Sequence, residues 1–349
     1  MKKRVLVLGG RGYYGAQVVA LLQGLPSVDV TVGSRRSTLP SERVDLSDPE
    51  TFATMEGYDL IVNCSDTVTA PPDDAIRYCL EHGLAFFEMG ADGPTMERLM
   101  ACTVPSPLGT VVLGVGIFPG LSTLLACEMV RRNPAAQKVD LAIRISPFSG
   151  AGRGNCALMT ESLDTPAYYV EAGQRREEST VGASLSVSFL ESGEQPANRL
   201  SLPDTALIHR ATGLPSVSAY FSVAPSWLRH NFRFLAGIIR WAGPFRAFFL
   251  WLLRWQLIAL RTIFCRKVHS PVELTVLTDR GTPQERSGKI TVANGQLGTA
   301  LGVAAAVSLW GRTERPAPGC VTVADVFEWD EMIREARRLS SEPLRPVWS

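Results

Sequence analysis

The sequence predicts an α/β protein in which a doubly wound, Rossmann-type parallel sheet carries an inserted α+β substrate domain. An apolar run, 4–9, leads directly into a glycine pattern at 10–15, and strand-like runs then alternate with helix-like runs. Strand patterns instead dominate 137–225 and 271–293, which we interpret as mainly antiparallel. We therefore expect a dinucleotide-binding domain, a substrate domain and a C-terminal segment returning to the first domain, at 1–125, 126–297 and 298–349.

The first predicted element is a strand–turn–helix unit that is typical of dinucleotide binding. Gly10, Gly12 and Gly15 form the pattern G-x-G-x-x-G before a helix-forming run. Gly10 would allow a tight turn, Gly12 would let the backbone approach a pyrophosphate, and Gly15 would let the helix pack on the strand. Tyr13 and Tyr14 fall inside the pattern, where the helix N-terminus favours phosphate. We predict that all five residues bind cofactor; the alternative is a purely structural turn.

The end of the second strand, 28–32, indicates which dinucleotide binds. An NAD-specific site usually carries Asp or Glu there to hold the ribose 2′-hydroxyl. This chain has Ser34, Arg35 and Arg36 instead. A guanidinium pairs with the 2′-phosphate that a carboxylate would repel. The prediction is NADP(H), with Arg35 as the main contact and Ser34 or Arg36 assisting; the alternative is that these arginines are solvated loop charges.

The remaining elements of the first domain continue the alternation. Strands are predicted at 43–46, 60–65, 85–88 and 110–114, and helices at 49–55, 73–82 and 93–102. Ligands of such sheets bind outside the carboxyl ends of the strands. Asp45 and Ser65 lie at those ends and are predicted cofactor contacts, whereas Asp66 and Glu88 are equally well explained as loop caps.

A further glycine-rich segment carries a family resemblance. Residues 114–122 read G-V-G-I-F-P-G-L-S before an apolar helix. They resemble the G-x-x-P-G-L-S segment of the saccharopine dehydrogenase-like superfamily. The N-terminal glycine pattern, the Gly-Ser-Arg at 33–35, the Gly-Thr-Ala at 298–300 and the Pro-Gly-Cys-Val at 318–321 are similar to that family too. The resemblance is good over about 1–130, moderate over about 289–335 and poor between them.

The resemblance implies an NAD(P)-binding Rossmann domain, an inserted substrate domain and a nicotinamide between the two. It would place Gly116, Pro119 and Gly120 against the cofactor and Ser122 toward the substrate. It leaves the reaction open, because relatives reduce imines, oxidise amines or reduce enoyl groups.

The inserted domain contains weaker candidates for substrate contacts. We expect a mixed sheet covered by helices on one face, including a hairpin over 272–292. Family members usually carry Gly-Thr where this chain has Gly-Asn, so Asn155 replaces the expected residue. Arg153 would bind an anionic group of the substrate, or is a loop charge. Glu161 and Tyr168 are candidate proton donors, although a tyrosine is more often a packing residue.

A long segment of the inserted domain lacks acidic residues. From 205 to 272 there is no Asp or Glu, but there are eight Arg and four Trp. Its region 227–267 predicts two apolar helices separated at Pro244, each with a narrow arginine stripe. The longest charge-free run, 247–253, is far below the roughly 20 residues that span a bilayer. Three interpretations stay open: attachment to an anionic membrane surface, a lid over a hydrophobic substrate, and a homodimer contact.

Composition limits the remaining function classes. A net charge of +1 gives no electrostatic argument for nucleic-acid binding. The seven cysteines are scattered without metal-ligand spacing, which favours buried thiols in a reducing compartment and no metal site. We therefore expect a cytoplasmic protein, with peripheral attachment to the inner face of a membrane as an open alternative. The main hypothesis is an NADP(H)-dependent oxidoreductase acting on a small apolar or acyl substrate; the second is a non-enzymatic, membrane-associated NADP(H)-binding scaffold.

Overall fold

The computed structural model describes residues 2–67, 70–90, 93–146, 166–178, 183–224, 242–264, 271–312, 316–342 and 344–349. Its chain divides into two compact units, which are Met1–Leu124 with Thr299–Pro343, and Leu125–Gly298 with Leu344–Ser349. The final six residues belong to the second unit, so the C-terminal segment 298–349 is divided between the two units.

The first unit begins as a regular alternation of strands and helices. Its first strands are β1 (Lys3–Leu8), β2 (Val28–Gly33), β3 (Leu60–Asn63), β4 (Ala85–Glu88) and β5 (Thr110–Leu113). The first helices are α1 (Tyr13–Gln23), α2 (Asp73–Glu81), α3 (Gly93–Met100) and α4 (Leu121–Arg132), and the chain enters the second unit within α4.

The second unit contains most of the remaining strands. They are β6 (Lys138–Ile145), β7 (Ala167–Glu171), β8 (Gln174–Glu178), β9 (Ser184–Phe189), β10 (Gly193–Arg199), β11 (Ser216–Val223), β12 (Val272–Thr278) and β13 (Arg286–Val292). Its helices among the described residues are α5 (Pro203–Thr212) and α6 (Arg246–Phe264).

The chain then returns to the first unit within a helix that has no charged residue. The last elements are α7 (Gly295–Leu309), β14 (Gly319–Thr322), α8 (Val323–Val326), α9 (Trp329–Leu339) and β15 (Val347–Trp348). Helix α7 is apolar on all sides, and its residues from Ala300 to Val307 are all buried, as expected for a helix inside a core. Helix α9 is amphipathic and buries Trp329, Met332 and Ile333.

The first sheet is six-stranded and has the order β14-β5-β4-β3-β1-β2. All of its neighbouring strands run parallel. The interior strand β3 is buried along its whole length because helices cover both faces of such a sheet. The predicted Rossmann-type fold is therefore confirmed.

One local prediction in the first unit is wrong, and a second holds with a different type of helix. Residues 43–46 do not form a strand; Asp45 makes only an isolated bridge with Asp48. The predicted helix at 49–55 is a 3₁₀ helix, Pro49–Gly57, which starts at a proline and has the Asp48 side chain as its cap. The strand is missing because this short segment folds back on itself through side-chain hydrogen bonds instead of joining the sheet.

The second sheet is nine-stranded and mixed. The order along its main path is β15-β13-β12-β6-β11-β10-β9; off this path, β7 pairs with β11, and β8 pairs with β7. The predicted hairpin is present, because β12 and β13 pair from Val272 and Val292 to Thr278 and Arg286. The central pair differs from the antiparallel expectation, since β6 and β11 run parallel over eight residues. The long intervening chain, 146–215, is sufficient for the crossover connection that a parallel pair requires.

A buried ion pair lies inside this second sheet. Arg144 on β6 and Glu273 on β12 are register partners, and their Nε and Oε1 atoms are 3.5 Å apart. Glu273 is fully buried and also accepts hydrogen bonds from the backbone N–H groups of Glu191 (2.7 Å) and Ser192 (3.1 Å). Burial lowers the pKa of Arg144, while the neighbouring carboxylate opposes that change. The carboxylate charge is thus satisfied within the sheet.

Candidate functional site

The carboxyl ends of the parallel strands form one continuous edge in the first unit. One line of register crosses the sheet through Gly33, Leu8, Asn63, Glu88, Leu113 and Thr322. The strand order reverses at β1, which has β2 on one side and β3 on the other. Ligands of open α/β sheets bind at such a switch point, outside the carboxyl ends of the strands.

The glycine turn after β1 lies at this switch point. The N–H of Gly12 donates to the carbonyl of Gly9 at 2.8 Å, which closes the turn. Gly12 is also the N-cap of α1, where no side chain caps the helix and no acidic residue occupies the first turn. Arg11 and Gly12 are exposed, and Tyr13 and Tyr14 are half-buried with their rings edge to face. An anion placed here would meet an uncapped, positively polarised helix end.

Close packing beneath the turn depends on Gly15. A Cβ at this position would overlap the carbonyl oxygen of Gly9 and lie 2.8 Å from the Cα of Gly10. Only glycine therefore lets α1 start this close to the end of β1. A side chain on Gly10 would likewise crowd Val32 of β2 and Val19 of α1.

The turn after β2 carries the predicted selectivity residues. The Ser34 hydroxyl accepts a hydrogen bond from the N–H of Arg36 at 3.2 Å, which shapes the turn. Arg35 and Arg36 are exposed and form no ion pair with any described residue. Asp45, a predicted cofactor contact, caps its own turn, because its Oδ1 accepts a hydrogen bond from the N–H of Ser47 at 3.0 Å.

A polar network joins the ends of β3 and β4. The buried Asn63 donates from Nδ2 to Oε2 of the fully buried Glu88 at 2.7 Å, and its Oδ1 accepts from the hydroxyl of Ser65 at 2.6 Å. The other oxygen of Glu88 accepts from the N–H of Gly90. Burial, followed by the charge of Glu88, raises the pKa of the Cys64 thiol. Cys64 is therefore protonated and unsuited to nucleophilic chemistry.

The second glycine turn, after β5, is packed more tightly than the first. Gly120 has φ +139°, and a Cβ there would overlap the backbone of Gly116. A Cβ on Gly302 of α7 would overlap the same Gly116 carbonyl, so the helix lies directly against the turn. Pro119 and Ser122 are buried, and Ser122 has no exposed surface. The turn is thus held by backbone contacts on two sides.

Tyr168, a candidate proton donor, is buried and already hydrogen-bonded. Tyr168 on β7 is buried, donates its hydroxyl hydrogen to the carbonyl of Leu202 at 3.0 Å, and has the guanidinium of Arg175 over its ring. These contacts provide a packing role for the tyrosine. The second candidate donor, Glu161, lies outside the described residues, as do the candidate substrate contacts Arg153 and Asn155.

The structure brings most cofactor candidates of the first unit to one sheet edge. The turns that follow β1, β2, β3 and β5 all begin at the line of register described above. Two glycines that shape these turns were not predicted from the sequence, namely Gly90 and Gly302. A glycine inside an apolar helix, as at Gly302, is a signal of close backbone approach and could have been recognised. The partnership of Asn63 with Glu88 has no such signal, because the residues are 25 positions apart.

The fold is shared with a known dehydrogenase. Saccharopine dehydrogenase (L-Glu forming) from Saccharomyces cerevisiae, in its apo form, matches with a TM-score of 0.66 at 12% identity, over 99% of this chain and 100% of that chain. DAP dehydrogenase of C. glutamicum, in complex with DAP, matches with a TM-score of 0.47 at 14% identity, over 98% and 97%. No protein-family model and no curated protein matches the sequence. The chain therefore has a saccharopine dehydrogenase-like fold, as the sequence resemblance predicted.

Proposed function

We propose that the first unit binds NADP(H) along the carboxyl edge of its sheet. The observation that carries this proposal is the glycine turn, where an exposed Gly12 begins α1 without a side-chain cap at the strand-order reversal. A pyrophosphate there would accept hydrogen bonds from backbone N–H groups and interact with the helix dipole. Tyr13 and Tyr14 flank the same helix start, and Ser65 follows β3 at the adjacent position of the edge.

The preference for the phosphorylated cofactor rests on the turn after β2. The exposed Arg35 supplies a planar, permanently charged fork that suits the 2′-phosphate, and Ser34 and Arg36 complete the turn. Asp45 is a weaker contact in this proposal, because its carboxylate already accepts a local hydrogen bond.

The proposed activity is that of an NADP(H)-dependent oxidoreductase. When bound, the nicotinamide would supply or accept a hydride at a C=C, C=N or C=O group of an apolar or acyl substrate. The fold shared with saccharopine dehydrogenase supports this reaction class. Gly116, Pro119 and Gly120 would form the wall against the cofactor, and their rigid backbone packing suits that task.

The proposal also includes residues that would bind the substrate and donate a proton to it. Ser122, Arg153 and Asn155 are proposed substrate contacts, and Glu161 or Tyr168 the proton donor. For Ser122 the role requires substrate to reach a side chain that is fully buried. For Tyr168 it requires the hydroxyl to leave the carbonyl of Leu202.

The test has two stages that use the full chain. In the first stage, the protein is titrated with NADPH and with NADH, and binding is measured by fluorescence energy transfer from tryptophan to the cofactor. NADPH should bind more tightly. NADPH oxidation is then followed with enoyl, imine and keto substrates. Binding without turnover on any of the three classes would contradict the oxidoreductase and favour the scaffold.

A non-enzymatic NADP(H)-binding scaffold on a membrane is the second candidate. It is favoured by one observation, the exposure of large aromatic side chains along α6. The buried, hydrogen-bonded state of Tyr168 also agrees with it. The two candidates differ in turnover and share the cofactor site.

A further inference from the structure

Helix α6 and the turn before it expose an unusual set of large apolar side chains. Most described apolar side chains of this size are buried, yet four aromatic residues here are more than half exposed: Phe245 (66%), Phe248 (54%), Trp251 (59%) and Trp255 (60%). Leu252 is exposed beside them. We call these five residues the aromatic face. Exposed apolar surface concentrated in this way usually marks an interaction site.

The four residues of the aromatic face that belong to α6 lie on one side of the helix. At 100° per residue, positions 248, 251, 252 and 255 fall within an arc of about 100°. The rings of Phe248 and Trp251 stack with their centroids 6.1 Å apart, so the face is continuous. Leu253 points to the other side of the helix and is buried, which anchors α6 to the protein while the aromatic face points outward.

The charged residues of the segment that contains the aromatic face are all basic. Arg254 is exposed at the border of the face, and Arg246 is exposed on the opposite side of the helix. No acidic residue occurs between 205 and 272, a segment with eight arginines and one lysine. The surface that meets this segment must therefore supply negative charge together with an apolar layer.

These two requirements disfavour a second copy of the same face. A two-fold contact would bring the exposed Arg254 of both copies to the border of the contact, and the segment holds no carboxylate to compensate them. A bilayer with anionic headgroups meets both requirements, because tryptophan and phenylalanine enter the headgroup boundary while arginines remain at the phosphates. No helix among the described residues is long and apolar enough to cross a membrane, so the contact would lie in the plane of the surface.

We propose that the aromatic face of α6 docks the protein on an anionic phospholipid surface. Trp251 and Trp255 enter the boundary between headgroups and acyl chains, and Arg254 contacts lipid phosphate. This docking is independent of cofactor binding, so failure of the oxidoreductase proposal leaves it standing.

Flotation of the full-length protein with vesicles tests the proposal. Phosphatidylcholine vesicles and vesicles with an equal part of phosphatidylglycerol are compared at low and high salt. The protein should float with the anionic vesicles at low salt and be released by high salt, because salt screens the phosphate contacts. Tryptophan emission should shift to shorter wavelength on the anionic vesicles.

A pair of variants assigns the effect to the aromatic face. Trp251→Ala with Trp255→Ala should reduce flotation at least tenfold and abolish the emission shift, while Trp251→Phe with Trp255→Phe retains flotation. Leu108→Ala, which removes an equally exposed apolar side chain from the first unit (66%), should change neither. Absence of flotation in all four conditions overturns the proposal. The proposal is also overturned if the double alanine variant still floats with the anionic vesicles. It is overturned as well if the parent protein binds no vesicles but dimerises with increasing concentration, and the double alanine variant does not dimerise.

Discussion

The two sheets place their polar groups in opposite positions. In the parallel sheet of the first unit, the interior of β3 and the body of β5 are apolar, and polar groups gather at the carboxyl edge. In the mixed sheet of the second unit, charged residues sit inside the strands, where Arg144 pairs across the sheet with Glu273. One sheet is apolar within these strands and gathers polar groups at its carboxyl edge, and the other pairs charged groups inside its strands.

The difference separates residues available to a ligand from residues that hold the fold. Gly12 and Arg35 are exposed, and Arg35 has no described ion-pair partner, so a cofactor can meet both. Glu273 has no exposed surface and accepts from two backbone N–H groups in addition to its arginine. Substitutions in the first group should change binding, and substitutions in the second should change stability.

The largest expected contrast is between two glycines of the first unit. Gly12→Val should abolish NADPH binding in a folded protein, because the side chain would occupy the place of the pyrophosphate. Gly120→Ala should instead destabilise the unit by about 2–6 kcal/mol, since it combines a disfavoured φ with backbone overlap. Thermal unfolding and NADPH titration measure both effects. Gly57→Ala, where nothing lies near the added Cβ, is the control. Tight NADPH binding by a folded Gly12→Val variant would show that the motif is only a turn.

The second largest effect on stability is expected from removal of the buried carboxylate of Glu273 in the second sheet. Glu273→Ala leaves Arg144 buried without its partner, and we expect a loss of about 3–5 kcal/mol in the free energy of unfolding. Glu177→Ala removes an exposed partner of Arg175 and should cost less than about 1 kcal/mol. Urea unfolding of both variants measures the difference. Equal losses would mean that the buried pair contributes no more than a surface pair.

Arg35→Ala should have a smaller effect, confined to one cofactor. Loss of a charge-assisted hydrogen bond to the 2′-phosphate should weaken NADPH binding by about 1.5–3 kcal/mol and leave NADH nearly unchanged. Arg4→Ala, at the opposite end of β1, is the matched control. Identical NADPH and NADH titration curves for the parent protein would contradict the assignment of Arg35.

The smallest expected effect distinguishes packing from catalysis at Tyr168. Tyr168→Phe removes the hydrogen bond to Leu202 and should cost about 0.5–1.5 kcal/mol of stability with turnover unchanged. Tyr169→Phe, whose ring lies under Arg199, should leave both quantities nearly unchanged. A fall in turnover of about a hundredfold or more in Tyr168→Phe would instead identify it as the proton donor.

More of the first unit than of the second could be predicted from the sequence. The apolar strands, the glycine pattern and the β12–β13 hairpin are recognisable because their signals lie within a few neighbouring residues. Residues 43–46 show the limit of that approach, since an apolar alternation there was outweighed by side-chain caps around Asp48. Of the five described cysteines, which were expected to be buried thiols, Cys64 and Cys79 are buried and the other three are half-buried.

The sequence by itself determined the periodicities, the turn residues and the charge distribution of this protein. These properties are local, so a short window contains all the information that they need. The tertiary structure alone decided that β6 runs parallel to β11, that Glu88 meets Asn63, and that Gly302 lies on the turn of Gly116. Each of those contacts joins residues far apart in the chain, and the packing of whole elements selects the partner. The same packing leaves Trp251 and Trp255 exposed while Leu253 between them is buried.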